Sequence, residues 1–377
     1  MLNRVLSIIV AISLAFPLIC LKSKATNINI SAASAVVMIA ETGEVLYEKN
    51  AHKERGVAST TKIMTSLLAL ESGRLKRETV ATKKDVTIEG TSIGLRDGDN
   101  VNLSTLVKGM LLESGNDAAN VTATLVAGDS EKFVALMNKR AKELGMDNTS
   151  FKNPSGLTEE GHYSTAYDMA LLAREAIRNP VFREIASSRS ERVSMGTPVY
   201  SRTFYNHNKF LEMYDGAIGI KTGYTKASGR CLVTAAQRDG VTLVAVTLKA
   251  PDDWQDHVKM MDVSFSKIKK EKVTVDLSMY EIPVVGSDKN SVSGELSGEL
   301  NIPYSESLPE YSVVCFIPSF VYGGIEKGDY IGWVEVQTNT GSCINKSYIV
   351  AKEDAEELTV SDDKNGTFIE KIKNKFM

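Results

Sequence analysis

Histidine, cysteine and tryptophan are scarce: the 377 residues hold 4, 4 and 2 of them. His52, His162, His207 and His257 include no pair at zinc-ligand spacing, and no C-x-x-C occurs. A disulfide scaffold and a zinc ribbon are therefore excluded. Excess basic charge is missing too. Lys and Arg number 44 against 47 Asp and Glu, a net charge of -3, which does not suit a dedicated nucleic-acid binder. An apolar content of 43% with 24% charged residues excludes disorder, collagen and coiled coil. The length allows two or three domains at roughly 100–200 residues each.

The one apolar run near the start, Val5 to Phe16, breaks at Pro17 and is short of the roughly 20 residues a membrane span needs. Arg4 precedes it and Ser23-Lys24-Ala25 follows. This order describes a secretory signal over residues 1–25, cleaved after Ala25; the alternative is an uncleaved anchor. Cys20 follows Ile19, a poor lipoprotein site. The mature protein is expected outside the cytoplasm with Cys231, Cys315 and Cys343, an odd number that leaves at least one thiol unpaired or pairing between chains.

Periodicity then divides the chain. Ala35–Ala40 and Glu44–Glu48 are short strand-like runs around Glu41-Thr42-Gly43. Ile63, Leu67 and Leu70 share one face of a helix following Ser59, and helical spacing recurs through 103–145 at Leu103, Leu106, Met110, then Phe133, Met137, Ala141. Ser164 is placed to cap a helix running through Met169, Leu172 and Ala176. Arg230–Gln237 and Val241–Leu248 read as a hairpin turning at Arg238-Asp239-Gly240. Asp252 or Asp253 opens a last helix, with Trp254, Val258, Met261 and Phe265 on one face. Strands at both ends and helices between predict an α/β (α+β) fold, an antiparallel sheet beside a helical cluster. After the Lys-rich stretch Lys267–Lys272 the helical period is lost. Val273–Val285, Tyr311–Ile317, Tyr330–Gln337 and Ser347–Ala351 read as strands of a small all-β domain, and the repeated Ser-Gly-Glu-Leu at Ser293 and Ser297 as a loop or hairpin. The expected domains are 26–268 and 269–353, followed by a tail, 354–377.

Three short motifs could carry chemistry. Ser59-Thr60-Thr61-Lys62 is S-x-x-K at a helix start. At i and i+3 the side chains lie on one helical face, so the lysine reaches the serine hydroxyl. A neutral lysine amine could take the serine proton without any histidine, and a helix N-terminus favours the oxyanion that forms. Ser59 as a plain helix cap is the competing reading. Ser114-Gly115-Asn116 falls between two helices, where both side chains can face a cleft or simply close a turn. Lys221-Thr222-Gly223 lies on a strand, followed by Tyr224-Thr225. There a fixed cation beside small residues could dock a ligand carboxylate and backbone, or be a surface lysine. Gly90-Thr91-Ser92-Ile93-Gly94 matches the G-x-S-x-G elbow, but Leu95-Arg96-Asp97-Gly98-Asp99 after it is turn chemistry, not the helix an elbow requires.

In this order the set S-x-x-K, S-x-N, K-T-G resembles the penicillin-recognising serine enzymes. More narrowly it resembles the low-molecular-mass penicillin-binding proteins that are serine-type D-alanyl-D-alanine carboxypeptidases. Ala58–Thr65, Glu113–Ala119, Phe151–Leu157, His162–Asp168 and Ile220–Thr225 all fit that family. The resemblance covers residues 30–270 strongly and Ile325–Asp329 weakly. It implies that Ser59 attacks the bond between two D-alanines of a peptidoglycan stem peptide and forms an acyl-enzyme. It implies Lys62 as proton acceptor and Ser114 as relay to the leaving amine. Asn116 would hold the peptide backbone, Lys221 the terminal carboxylate with Thr222 and Thr225, and Gly223 would lie alongside. The N–H groups of Ser59 and Tyr224 would form the oxyanion hole. β-Lactams become covalent inhibitors, and no metal or organic cofactor is required.

Two other functions remain open at this point. A β-lactamase would need a deacylating base, for which Glu159 and Glu160 are the nearest sequence candidates, and would hydrolyse a chromogenic cephalosporin rapidly. A penicillin sensor or wall-binding module would bind β-lactam without peptide turnover. The tail supplies a partner of another kind. Phe368, Ile369, Ile372 and Phe376 share one helical side, with Lys371, Lys373 and Lys375 on the rest, which suits a helix lying on an anionic bilayer; so short a stretch is marginal as a free helix.

Overall fold

The computed structural model describes residues 28–358; the signal segment and the amphipathic stretch of the tail lie outside them. The described chain forms two compact units that part at Lys269/Lys270, with Pro303–Glu306 grouped with the first. In chain order the first unit contains β1 (Ser34–Ile39), β2 (Val45–Lys49), α1 (Lys62–Glu71), β3 (Glu78–Val80), α2 (Lys83–Val86) and β4 (Asn100–Asn102). There follow α3 (Leu103–Leu111), α4 (Asn116–Ala127), α5 (Ser130–Glu143), α6 (Ala166–Arg178), α7 (Pro180–Ser187), β5 (Ser190–Met195) and β6 (Tyr200–Tyr205). Then come α8 (Phe210–Met213), β7 (Ala217–Thr225), β8 (Gly229–Arg238), β9 (Val241–Leu248) and α9 (Asp253–Phe265).

The main sheet has the order β2-β1-β9-β8-β7, so the first and last strands of the unit meet at its centre. Every neighbour is antiparallel. β8 and β9 are joined by Asp239 and Gly240 alone, both with positive φ (48° and 78°), the geometry of a two-residue type I′ hairpin. Both faces of the sheet are covered. Val36 and Met38 of β1 join the core under the helical cluster, whereas Ala35, Val37 and Ile39 join a second core under α8 and α9. Burying each such Val or Ile stabilises the sheet by roughly 1.5–3 kcal/mol. β9 is therefore buried at all eight positions, which explains why its sequence, apolar apart from Thr242 and Thr247, does not alternate.

Within α9, His257 is fully buried, its Nδ1 2.7 Å from Thr234 Oγ1 and its Nε2 3.0 Å from Thr247 Oγ1. Burial pushes its pKa down from 6.5 to about 3. Between these two values the unfolded chain binds a proton that the native chain refuses. The contribution is complete above pH 6.5 and is lost as pH falls toward 3, on the order of a few kcal/mol. Urea midpoints are expected to fall between pH 7 and pH 4.5, and to fall less in His257→Gln; equal pH dependence in both proteins would contradict this.

Local expectations fail in places. The helix after residue 164 is capped by Thr165, whose hydroxyl accepts from Asp168 N–H; Ser164 pairs instead with Thr149 Oγ1 at 2.7 Å. The hairpin β5–β6 and helix α7 were not anticipated, although Asn179 capping with Pro180 at the first turn is a start signal.

The second unit contains β10 (Lys269–Val273), β11 (Glu281–Val285), β12 (Ser291–Leu296), β13 (Leu300–Tyr304), β14 (Tyr311–Phe316), β15 (Val321–Tyr322), β16 (Tyr330–Thr338) and β17 (Cys343–Ala351). Six of these order as β14-β16-β17-β12-β11-β15, and β10 pairs with β13. The core is Val, Ile and Leu, including Ile282, Val292, Ile331, Val334 and Ile349. The single strand expected over Val273–Val285 is broken. Asp276 Oδ1 accepts from Ser278 N–H and Leu277 O from Tyr280 N–H, a turn that a side-chain carboxylate sponsors against the strand. The first Ser-Gly-Glu-Leu copy lies in β12 and the second leads into β13.

Candidate active site

The site is built where three backbone segments are held out of ordinary conformations. Six non-glycine residues have positive φ among the described residues, and three of them are Ala58 (47°), Ser114 (63°) and Ile220 (114°). Each precedes or belongs to one of the three motifs. Such strain costs on the order of 1–3 kcal/mol per residue and persists only where the surroundings impose it.

Ser59 lies in a 3-10 turn, Ala58–Thr61, that runs into α1. It caps nothing. Thr60 closes the turn instead, its N–H and its hydroxyl both donating to Val57 O. α1 is buried on nearly all sides, so Lys62 at its first turn is fully buried as well. Its Nζ lies 3.0 Å from Ser59 Oγ, 2.7 Å from Asn116 Oδ1 and 2.7 Å from the Ser155 carbonyl. Two of these partners are pure acceptors. A neutral amine has two N–H groups, which these acceptors occupy, and one lone pair, which then faces Ser59 Oγ. Burial first, and the positive charge of Lys221 second, hold Lys62 well below the usual lysine pKa, while Asp117 works in the opposite direction.

Lys221 is not a surface lysine. It is 1% exposed, its Nζ donates to Thr222 O at 2.9 Å, and burial lowers its pKa to about 7. β7 is nonetheless the edge strand of the sheet, so a ligand backbone can pair along it. Gly223 faces the Ser59 turn. A Cβ there would lie 3.0 Å from Ser59 N and 3.1 Å from Thr60 N. Any side chain would thus crowd the Ser59 N–H, the Thr60 N–H being taken by Val57 O. Tyr224 is 65% exposed at the rim. Thr222 sits half-buried beside Lys221.

Two residues are placed differently from expectation. Asn116 does not face a ligand freely, because its Oδ1 accepts from Lys62 and its Nδ2 donates to Glu89 O at 2.7 Å. The Thr225 hydroxyl donates to Ser228 Oγ and accepts from Ser228 N–H and, at 3.3 Å, from Thr158; it ties the end of β7 rather than standing open. Ser114 is buried between α3 and α4, its carbonyl accepting from Thr91 Oγ1. Ser92 of the G-x-S-x-G string donates to Asp117 Oδ2 at 2.6 Å in a segment that is no strand-to-helix elbow. Glu159 accepts from Asn153 Nδ2 and Glu160 is exposed.

The motif reading missed the Ser155 carbonyl and the Asp117 anchor, which accepts from Ile93 and Leu95 N–H. The first had no signal beyond its place in the Phe151–Leu157 string. Among the described residues no cluster of three or more His, Cys, Asp or Glu could hold a metal.

Residues 21–252 match the family model described as D-alanyl-D-alanine carboxypeptidase. The chain belongs to that family. D-alanyl-D-alanine carboxypeptidase DacF of Bacillus subtilis is 34% identical over 358 residues, 86% of each chain. A D-alanyl-D-alanine carboxypeptidase from Mycobacterium tuberculosis is structurally similar over 65% of this chain and 95% of its own (TM-score 0.61, 32% identity). Penicillin-binding protein 5 from Haemophilus influenzae is similar over 88% of this chain and all of its own (TM-score 0.62, 25% identity). The protein is accordingly a D-Ala-D-Ala carboxypeptidase of peptidoglycan metabolism. The carboxypeptidase fold is the expected one, an antiparallel sheet with helices followed by a β unit.

Proposed function

We propose that Ser59 is the nucleophile of this carboxypeptidase and Lys62 its base. The Ser59 proton passes to the Lys62 lone pair as Oγ bonds to the carbonyl carbon between the two D-alanines. The oxyanion is held by the N–H groups of Ser59 and Tyr224, with Gly223 keeping that space open. The C–N bond then breaks, and the proton returns from Lys62 through Ser114 to the leaving amine. Lys221 and Thr222 hold the departing carboxylate, with Thr225 at the end of the same strand. Water attacks the ester, giving its proton to Lys62, and Ser59 is restored. Penicillin follows the same path as far as the ester.

The single observation supporting these roles is the Lys62 arrangement, two N–H groups held by carbonyl oxygens and the third contact on Ser59 Oγ. D-alanine release from a pentapeptide ending in D-Ala-D-Ala tests the reading; a protein that labels with penicillin but frees no D-alanine would defeat it.

Residues 1–25 act as an export signal in this reading, and the tail as a surface anchor. No helix among the described residues is long and apolar enough to cross a membrane. The apolar stripe and lysines beyond Asn365 favour an anionic bilayer. Mature protein is expected to sediment with anionic vesicles, and deletion after Asn365 to release it with D-alanine release from a soluble peptide intact. Equal sedimentation of both proteins would remove the tail as anchor.

A further inference from the structure

The mechanism leaves one buried titratable group beside the nucleophile unused. His162 is 9% exposed and makes two ring contacts. Its Nδ1 accepts from Lys152 N–H at 3.2 Å, and its Nε2 lies 2.9 Å from Thr61 Oγ1. Because Nδ1 accepts, the neutral ring carries its proton on Nε2 and donates it to Thr61. Thr61 lies inside the S-x-x-K turn, and Lys152 lies at the head of the segment that supplies Ser155 O to Lys62. Other contacts run across the same junction. Thr65 Oγ1 donates to Pro154 O at 2.6 Å, and a Cβ on Gly156 would lie 1.9 Å from Ala58 O. Asn153 Oδ1 accepts from Gly156 N–H and from Ser155 Oγ. The segment is thus moulded to the nucleophile's turn, and His162, which belongs to neither, bonds to each.

We propose that His162 is a positioning residue for acylation: it clamps the Lys152–Gly156 segment to the nucleophile's turn and so keeps the Ser155 carbonyl on Lys62. Lys62 keeps its dry surroundings only while that carbonyl stays in place. With the clamp gone, water reaches the amine, its pKa climbs back toward that of a free lysine, and a smaller fraction is neutral at a given pH. The groups facing the ring are Thr61, the Phe151 ring edge-on at 5.7 Å, and the charges of Glu159 and Lys152, which oppose each other. Burial outweighs both charges and lowers the His162 pKa to about 4, so the neutral, clamping form persists over the working range.

This inference rests on the assignment of Ser59 and Lys62, and the test separates the two. Acylation by a chromogenic β-lactam is followed across pH in wild type, His162→Phe, His162→Gln and Ser59→Ala. Phe keeps a ring and bonds to neither partner; Gln can still donate to Thr61. His162→Phe is expected to lose on the order of a hundredfold in acylation rate, with binding little changed and the rising limb of the pH profile displaced to higher pH. His162→Gln recovers part of both. If His162→Phe does not fold, Thr61→Val and Thr61→Ser repeat the comparison from the other side of the bond, with Val impaired and Ser recovered. Unchanged rate and unchanged limb in the folded variants overturn the clamp, as does a lowered melting temperature with a wild-type pH profile. Labelling of Ser59→Ala would instead overturn the nucleophile assignment.

Discussion

Ser59→Ala is expected to abolish D-alanine release and covalent penicillin labelling together, a fall on the order of 10⁴-fold or more, as for removal of a nucleophile that acts as a unit with its base. The fold has little reason to suffer. The Ser59 hydroxyl caps no helix, and its side-chain contact is with Lys62. Lys62 keeps Asn116 Oδ1 and Ser155 O in the mutant, so the buried amine is not orphaned. The measurement is a gel-shift or mass spectrum after penicillin, with the melting temperature alongside. A mutant that still gains the mass of the antibiotic would place the nucleophile elsewhere.

Lys62→Met has the second-largest expected effect. Methionine matches the length and apolarity of the stem but cannot take a proton. Loss of a general base removes about 10²–10⁴-fold in rate. Stability moves far less, because two changes oppose one another. Removing a buried amine relieves its desolvation, whereas Asn116 Oδ1 and Ser155 O lose a donor, at roughly 1–3 kcal/mol for each buried group left unmet.

The wild-type pH profile carries the same assignment. With the neutral form of Lys62 as the proposed base, kcat/KM is expected to rise as pH climbs through its depressed pKa. Lys221 must be charged to hold a carboxylate, so kcat/KM falls again near pH 7, where the empty site loses that proton. A bound carboxylate stabilises the Lys221 ammonium, and the falling limb of kcat is displaced above that of kcat/KM. A Lys62→Met enzyme with the wild-type rising limb would sink the base assignment.

The motifs were legible because their spacing is local. The i to i+3 spacing of Ser59 and Lys62 sets one helical turn, and Asp239-Gly240 sets its hairpin by backbone conformation alone. The break at Asp276–Tyr280 was missed because Asp276 and Ser278, both turn formers, were read into the strand, where Asp276 Oδ1 instead closes a turn. Asn116 was assigned to the ligand because the family resemblance implies it. Its two ends are instead filled by Lys62 and Glu89 O, groups 54 and 27 residues away.

The order of the three motifs and the change to β composition after Lys272 were thus determined by the sequence itself. Residue type and short spacing are local properties. What tertiary structure decided was the protonation chemistry. Nothing in Lys221 or Lys62 as letters separates a solvated ammonium from a buried amine; that depends on β7, α1 and α4 closing around them. The decisive partner of Lys62, the Ser155 carbonyl, lies 93 residues away. Every residue carries such a carbonyl, so only the fold can select which one reaches the amine.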